Sequence, residues 1–205
     1  AHDLRTPLTR LRNKLELLKA ELPETARART LAEETIADAE EMLVTFNALL
    51  RIARIESGSR RAAFEHLDLA PLVEDLVELY EPVAAEREQR LLYLGGAPAW
   101  VFGDRDLLFQ ALTNLVDNAI KYTQPGKVDT VFSRGTVVIE NDQAVVEVAD
   151  NGPGIPAELR GEVFRRFFRV DDSRCTPGSG LGLSLVQAVA QLHRAAIELS
   201  DHAPG

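Results

Sequence analysis

Leucine stands at positions 4, 8, 11, 15, 18 and 22, at steps of 4, 3, 4, 3 and 4. Alternating steps of three and four place these side chains on one stripe of an α-helix, the seam of a heptad repeat. Pro23 follows at once and ends the pattern, because proline has no N–H to continue a helix and its ring clashes with the preceding turn. A second seam runs through Ala32, Ile36, Ala39, Leu43, Phe46, Leu50 and Ala53, is widened by Leu49, Ile52 and Ile55, and closes at Gly58 and Ser59. Two heptad helices across a short turn make a hairpin, and a lone hairpin cannot cover its apolar face. Pairing of two copies into a four-helix bundle covers it, so a homodimer is expected. Docking of the hairpin onto the rest of the chain is the alternative.

From about residue 61 the pattern changes to alternating strands and helices. Phe64–Leu67 reads as a short strand, Leu69–Glu86 as an amphipathic helix, and Arg90–Leu94 and Trp100–Phe102 as strands. Asp104 starts a helix that reaches about Tyr122. Thr136–Glu140 and Val145–Ala149 alternate around Asn141-Asp142-Gln143, a hairpin signal. Leu181–Leu192 reads as a helix and Ala196–Leu199 as a further strand; residues 123–135 read as a loop. This order predicts an α/β sandwich, with helices on one face of a mixed sheet.

Charge marks the same division. Residues 1–60 carry 10 Lys/Arg against 10 Asp/Glu, whereas residues 61–205 carry 13 against 22, the whole of the net −9. That balance excludes a general nucleic-acid binder, which needs excess positive charge. Residues 160–174 reverse the trend, with Arg160, Arg165, Arg166, Arg169 and Arg174 against Glu162, Asp171 and Asp172. A basic stretch in an acidic domain suits an anionic ligand, and equally suits a solvated helix face. The single cysteine, Cys175, allows no intramolecular disulfide. No apolar run approaches the roughly 18 residues of a membrane span, so any membrane attachment is expected from segments outside these residues.

Four segments carry candidate chemistry. In the first helix the leucine seam leaves His2, Asp3 and Thr6 outside it, with His2 and Thr6 one turn apart on one face. A neutral imidazole nitrogen is a competent nucleophile near neutral pH, and a neighbouring carboxylate can hold the other ring proton. Pro7 is expected to kink or loosen the helix just beyond. On composition alone, a histidine near a chain end is an ordinary surface residue. In the helix from Asp104, Asn114, Asn118 and Lys121 share one face at spacings of 4 and 3. Amide oxygens suit a hard cation such as Mg²⁺, and an ammonium suits phosphate. Asp150-Asn151-Gly152-Pro153-Gly154 follows an apolar strand, where glycines allow close backbone approach to a ligand or simply a tight turn. Gly178-Ser179-Gly180-Leu181-Gly182-Leu183 opens a helix whose free N–H groups can cradle phosphate. It lacks the Gly-Lys-Ser/Thr ending of a Walker loop.

His2-Asp3-Leu4-Arg5-Thr6-Pro7-Leu8 resembles the phosphoacceptor box of sensor histidine kinases. The asparagine segment and the two glycine segments resemble the N box and glycine boxes of the GHKL ATPase superfamily, and Phe164-Arg165-Arg166-Phe167-Phe168-Arg169 resembles its F box. The order and spacing match across nearly the whole chain. The resemblance implies an α+β protein: a helical hairpin over 1–60 forming a dimeric four-helix bundle, then a Bergerat-type ATP-binding domain over 61–205. The phosphoacceptor helix would normally start before His2 and the sheet would normally gain a strand after Gly205, so a fragment is expected.

The resemblance further implies ATP-dependent phosphorylation of His2 with Asp3 as general base, then transfer to an aspartate of a response regulator. Asp3 and Thr6 would orient the water that dephosphorylates that regulator. Asn118 would ligate Mg²⁺ with Asn114 nearby, Lys121 would contact phosphate and Tyr122 would lie against adenine. Asp150 would read the adenine amine, and Gly152 and Gly154 would shape the base pocket. Gly178, Gly180, Leu181, Gly182 and Leu183 would cradle phosphates. Residues 155–177 would form a lid carrying Arg169 to the γ-phosphate; Arg174 and Cys175 have no assigned role. Residues 57–63 would be the hinge that lets the two domains meet. Arg194-Ala195 stands where the family has two glycines after a histidine, and His193 is expected to be structural. The whole would be the cytoplasmic portion of an inner-membrane sensor.

Overall fold

Residues 2–21, 27–56, 63–123, 132–140, 143–170 and 179–201 are described by a computed structural model. Helices α1 (His2–Glu21) and α2 (Arg27–Glu56) form the hairpin. Lys19 pairs with Glu33 at 3.4 Å and Arg12 with Glu40 at 3.9 Å, so rising numbers on one helix meet falling numbers on the other. The helices are therefore antiparallel. α1 is continuous through Pro7. Ala32, Ile36 and Ala39 of the α2 seam are buried, and their small or slender side chains let α1 approach closely.

The second region contains β1 (Glu65–Asp68), α3 (Leu69–Ala85), β2 (Arg90–Gly96), β3 (Trp100–Gly103), α4 (Arg105–Tyr122), β4 (Phe132–Glu140), β5 (Gln143–Ala149) and α5 (Gly182–His193). The helix starts follow from their caps. Asp68 accepts from the Ala70 N–H and from the Ala99 N–H, capping α3 and tying it to the approach to β3. Asp104, itself buried, accepts from the Leu107 N–H at 3.1 Å and caps α4. Each satisfies a donor that the first turn of a helix leaves unpaired.

Two sheets form among the described residues. β1 and β3 pair as an antiparallel ribbon, and β2, β4 and β5 form a mixed sheet with β2 parallel to β4 and β4 antiparallel to β5. Glu140 faces Gln143 at the expected hairpin. One core lies between this sheet and α3 and α4, with Leu72, Leu76, Val116 and Ile120 at its centre. A second lies between α4 and α5 and takes in the end of α2.

Two expectations are corrected. Residues 132–135 are strand, not loop: Phe132 to Gly135 pair with Arg90 to Tyr93. A Phe-Ser-Arg-Gly string has weak strand character of its own, and the non-local ladder overrides it. Residues 196–199 are not a strand. A strand exists only where a ladder partner accepts its hydrogen bonds; Ile197 packs on the second core, and among the described residues no strand pairs with 196–199.

Candidate functional site

α4 carries Asn114, Asn118, Lys121 and Tyr122 toward its C-terminal end. The Asn114 side-chain NH₂ donates to the Gln110 carbonyl at 2.8 Å, which fixes the amide and leaves Oδ1 facing α5. A Cβ placed on Gly182 would come within 3.0 Å of that Oδ1 and 3.9 Å of the Asn118 Nδ2. A side chain there would crowd the Asn114 amide, and glycine leaves it room. Among the described residues no side chain caps α5, and its leading N–H groups carry the partial positive charge of a helix start.

The loop after β5 meets the last turn of α4. Asp150 Oδ1 accepts from the Gly152 N–H at 2.8 Å, and a Cβ on Gly152 would lie 3.2 Å from the Tyr122 carbonyl oxygen. Gly154 has φ +71° with open space around it, so conformation rather than room demands glycine there. Lys121 Nζ lies 5.1 Å from the centroid of the exposed Tyr122 ring, within cation–π range.

Gly180 ties in the arginine-rich segment. Its φ is +66°, and a Cβ would come within 2.8 Å of the Phe167 backbone, while the Phe167 N–H donates to the Gly180 carbonyl at 2.9 Å. Phe167 is itself left-handed at φ 64°, a conformation rare outside glycine. These two residues pinch together the ends of the chain between them.

The asparagine face, both glycine segments and the Phe164–Arg169 segment are thus assembled around α4 and the start of α5. The Leu181 side chain points into the second core, so only its backbone is placed to meet a ligand; Leu183 is partly buried. Arg169 is partly buried and has a partner within the chain. Gly178, Arg174 and Cys175 lie outside the described residues, as do residues 171–177 of the expected lid and 57–62 of the expected hinge. The backbones of His2, Asp3 and Thr6 lie in α1; their side chains are outside the described part. A separate cleft of about 350 Å³, lined by Glu56, Arg165, Arg166, Gln187 and Gln191 among others, contains none of the asparagine or glycine residues. It marks the junction between α2 and α5.

Four residues have roles that were not read from the sequence. Ile52 and Ile55, each 1% exposed, belong to the core of the second region, although α2 belongs to the hairpin. Their position beside the heptad seam was the available signal. Gln89, 5% exposed, donates through one side-chain nitrogen to the carbonyls of Ile120 and Thr123, both at 2.9 Å. It sits in the string Glu86-Arg87-Glu88-Gln89-Arg90, whose composition reads as solvated loop. Phe167 carried no signal of its left-handed backbone. His193 is fully engaged: its Nε2 accepts from the Asp104 N–H at 3.0 Å, which assigns the ring proton to Nδ1 and the Val189 carbonyl at 2.8 Å. The ring stacks on Phe64 at 4.6 Å.

Known proteins resemble both regions of the chain. Residues 103–205 match the family model of the histidine kinase-, DNA gyrase B- and HSP90-like ATPase, and residues 1–58 match the His Kinase A (phospho-acceptor) domain. Among curated relatives, the signal transduction histidine-protein kinase/phosphatase MprB of Mycolicibacterium smegmatis is 37% identical over 213 residues, covering all of this chain and 41% of that protein. Its counterpart from Mycolicibacterium vanbaalenii is 36% identical and covered to 42%. The chain thus spans about two fifths of the length of these relatives. Full-length ShkA in complex with AMPPNP superimposes with a TM-score of 0.71 at 25% identity, covering 93% of this chain and 39% of ShkA. A mycobacterial sensor histidine kinase MprB structure superimposes with a TM-score of 0.52 at 31% identity, covering 64% of this chain and 80% of its own. A phospho-acceptor hairpin followed by an ATPase domain of this type defines a sensor histidine kinase. The chain belongs to that family.

Proposed function

We propose that the whole protein is an ATP-dependent histidine autokinase that phosphorylates His2 and then passes the phosphoryl group to an aspartate of a response regulator. The observation that carries this reading is the assembly of Asn114, Asn118, Asp150, Gly152 and Gly182 around α4, in the same chain as a phospho-acceptor hairpin. Adenine would be read by Asp150, with Gly152 and Gly154 shaping the base pocket and Tyr122 beside it. Lys121, the backbone at Gly180, Leu181, Gly182 and Leu183, and the cradle that Gly178 would extend suit the phosphates. Arg169 would reach the terminal one.

The donor set fits Mg²⁺. Asn114 Oδ1 is left facing α5 and Asn118 lies one turn on, and carboxamide oxygens are hard ligands. When bound, the cation neutralises charge on the transferring phosphoryl group. The protein's own part is positioning. Asn114 is pre-oriented by Gln110, and α5 offers the N–H groups of its first turn. Asp3 would accept the His2 ring proton as the N–P bond forms.

The domain division is proposed at residues 60 and 61. A dimer is proposed because Leu11 and Leu18 of the seam are 47% and 49% exposed in the single chain. Among the described residues no helix is long and apolar enough to cross a membrane. A cytoplasmic position beneath a membrane sensor is proposed from the relatives' length beyond this chain. No role in nucleic-acid binding is proposed, given the net charge of −9. A second activity, dephosphorylation of the regulator by Asp3 and Thr6, is favoured by the name kinase/phosphatase that the MprB relatives carry.

Incubation of the full-length protein with γ-labelled ATP is the test. Acid-labile, alkali-stable label is expected, and it should vanish in His2→Gln. Tight nucleotide binding with no such label would defeat the proposal. Mixed dimers of His2→Gln and Asn118→Ala subunits then separate transfer within a subunit from transfer across the dimer. A linker-locked variant at residues 57–63 should keep ATP binding and lose autophosphorylation.

A further inference from the structure

We propose that Gln89, which belongs to none of the motifs, is a positioning residue for nucleotide binding. This rests on the nucleotide reading above. The last four carbonyls of a helix have no partner within it. In α4 those are the carbonyls of residues 119–122, in the turn that carries Lys121 and Tyr122. The Ala119 carbonyl is taken by the Thr123 N–H at 3.1 Å. The Ile120 carbonyl, and that of Thr123 just beyond, are both taken by the Gln89 NH₂ at 2.9 Å. One nitrogen with two protons thus bridges the end of the helix, across 31 and 34 residues of sequence.

The bridge is held from its own side too. Gln89 follows a tight turn in which Glu88 is left-handed at φ 58°, and its backbone N–H donates to the Ala84 carbonyl at 2.9 Å. α3 therefore fixes the Gln89 backbone, and the side-chain amide of Gln89 ties the end of α4 to it. Above that turn, the Tyr122 carbonyl is the surface against which Gly152 packs. Loss of the bridge would let the last turn fray and displace Lys121, Tyr122 and the Gly152 backbone together. Leucine at 89 supplies no donor. Glutamate has the same shape but, when ionised, only accepts, and so sets a negative charge against carbonyl oxygens. Protonation returns one donor.

The test is the affinity of the full chain for Mg·ADP, with hydrogen exchange of the amides at 120–123 followed in parallel. Gln89→Leu and Gln89→Glu are expected to bind roughly tenfold or more weakly at about pH 8, with faster exchange in the last turn. Relative to the unmodified protein, Gln89→Glu should recover as pH falls to about 5.5 and its carboxyl protonates, whereas Gln89→Leu should not. A purely structural role would lower the melting temperature of both and leave affinity below that temperature, and its pH profile, unmoved; that result overturns the proposal. Affinities equal to the unmodified protein at every pH overturn it as well. Should the unmodified protein itself take up no ADP, the nucleotide reading fails, and the positioning role with it.

Discussion

The hairpin and the ATPase region solve the same problem, burial of apolar surface, in opposite ways. In the ATPase region Leu72, Leu76, Leu181 and Val189 are sealed within one chain. In the hairpin, α1 leaves Leu11 and Leu18 about half exposed, and Met42 on α2 is 59% exposed. A two-layer sandwich can close on itself, whereas two helices have only one face to offer each other. We propose that the hairpin completes its burial with a second copy, whereas the ATPase region closes on itself, with one exception. The last turns of α2 lend Ile52 and Ile55 to the core that also holds Leu181, the residue between two box glycines. The boundary in sequence and the boundary in packing thus differ by about two helical turns.

The strongest way to break this comparison is to remove that loan. Ile52→Ala and Ile55→Ala should each cost about 2–5 kcal/mol. The loss should appear in the unfolding of the ATPase region, read by denaturant titration with Trp100 fluorescence. An unchanged midpoint would restore a boundary at the end of α2. Next in size, Leu11→Ser with Leu18→Ser should weaken self-association by about 1 kcal/mol for each side chain, half of which is already covered in the single chain. Sedimentation should show more monomer while ADP affinity stays constant, and a dimer of unchanged strength would place the interface elsewhere.

Within the ATPase region, Gly180→Ala should cost about 1–3 kcal/mol, from its positive φ and its contact with Phe167. Nucleotide affinity should fall with it, as titration calorimetry would measure, and retained affinity would separate the pinch from the site. The smallest effect is expected at Glu56→Gln, which breaks the pair with Arg166 between α2 and the arginine-rich segment. Both partners are nearly half exposed, so at most about 1 kcal/mol is at stake. Protease sensitivity of residues 57–63 should rise slightly, and less so in high salt.

Much of this was legible beforehand because its causes are local. The hairpin followed from leucine spacing and Pro23, the start of α4 from Asp104, and the β4–β5 hairpin from alternation around Asn141-Asp142-Gln143, of which Gln143 proved to be the first residue of β5. The asparagine and glycine segments were recognisable because each carries its chemistry within a few residues. What failed was non-local. Residues 132–135 became strand through pairing with β2, and 196–199 did not for want of a partner.

Sequence alone determined which helices would form and where α4 would start, and it nominated the side chains proposed to bind an anion or a cation. Periodicity, caps and glycine content act over a turn or two, and they leave a readable trace. Tertiary structure alone decided that Gln89 closes α4, that Phe167 is left-handed beside Gly180, that His193 spans α5 and the start of α4, and that α2 ends inside its neighbour's core. Each depends on groups brought together across the fold, and a buried amide donating to distant carbonyls looks, in its own string of charged neighbours, like one more solvated residue.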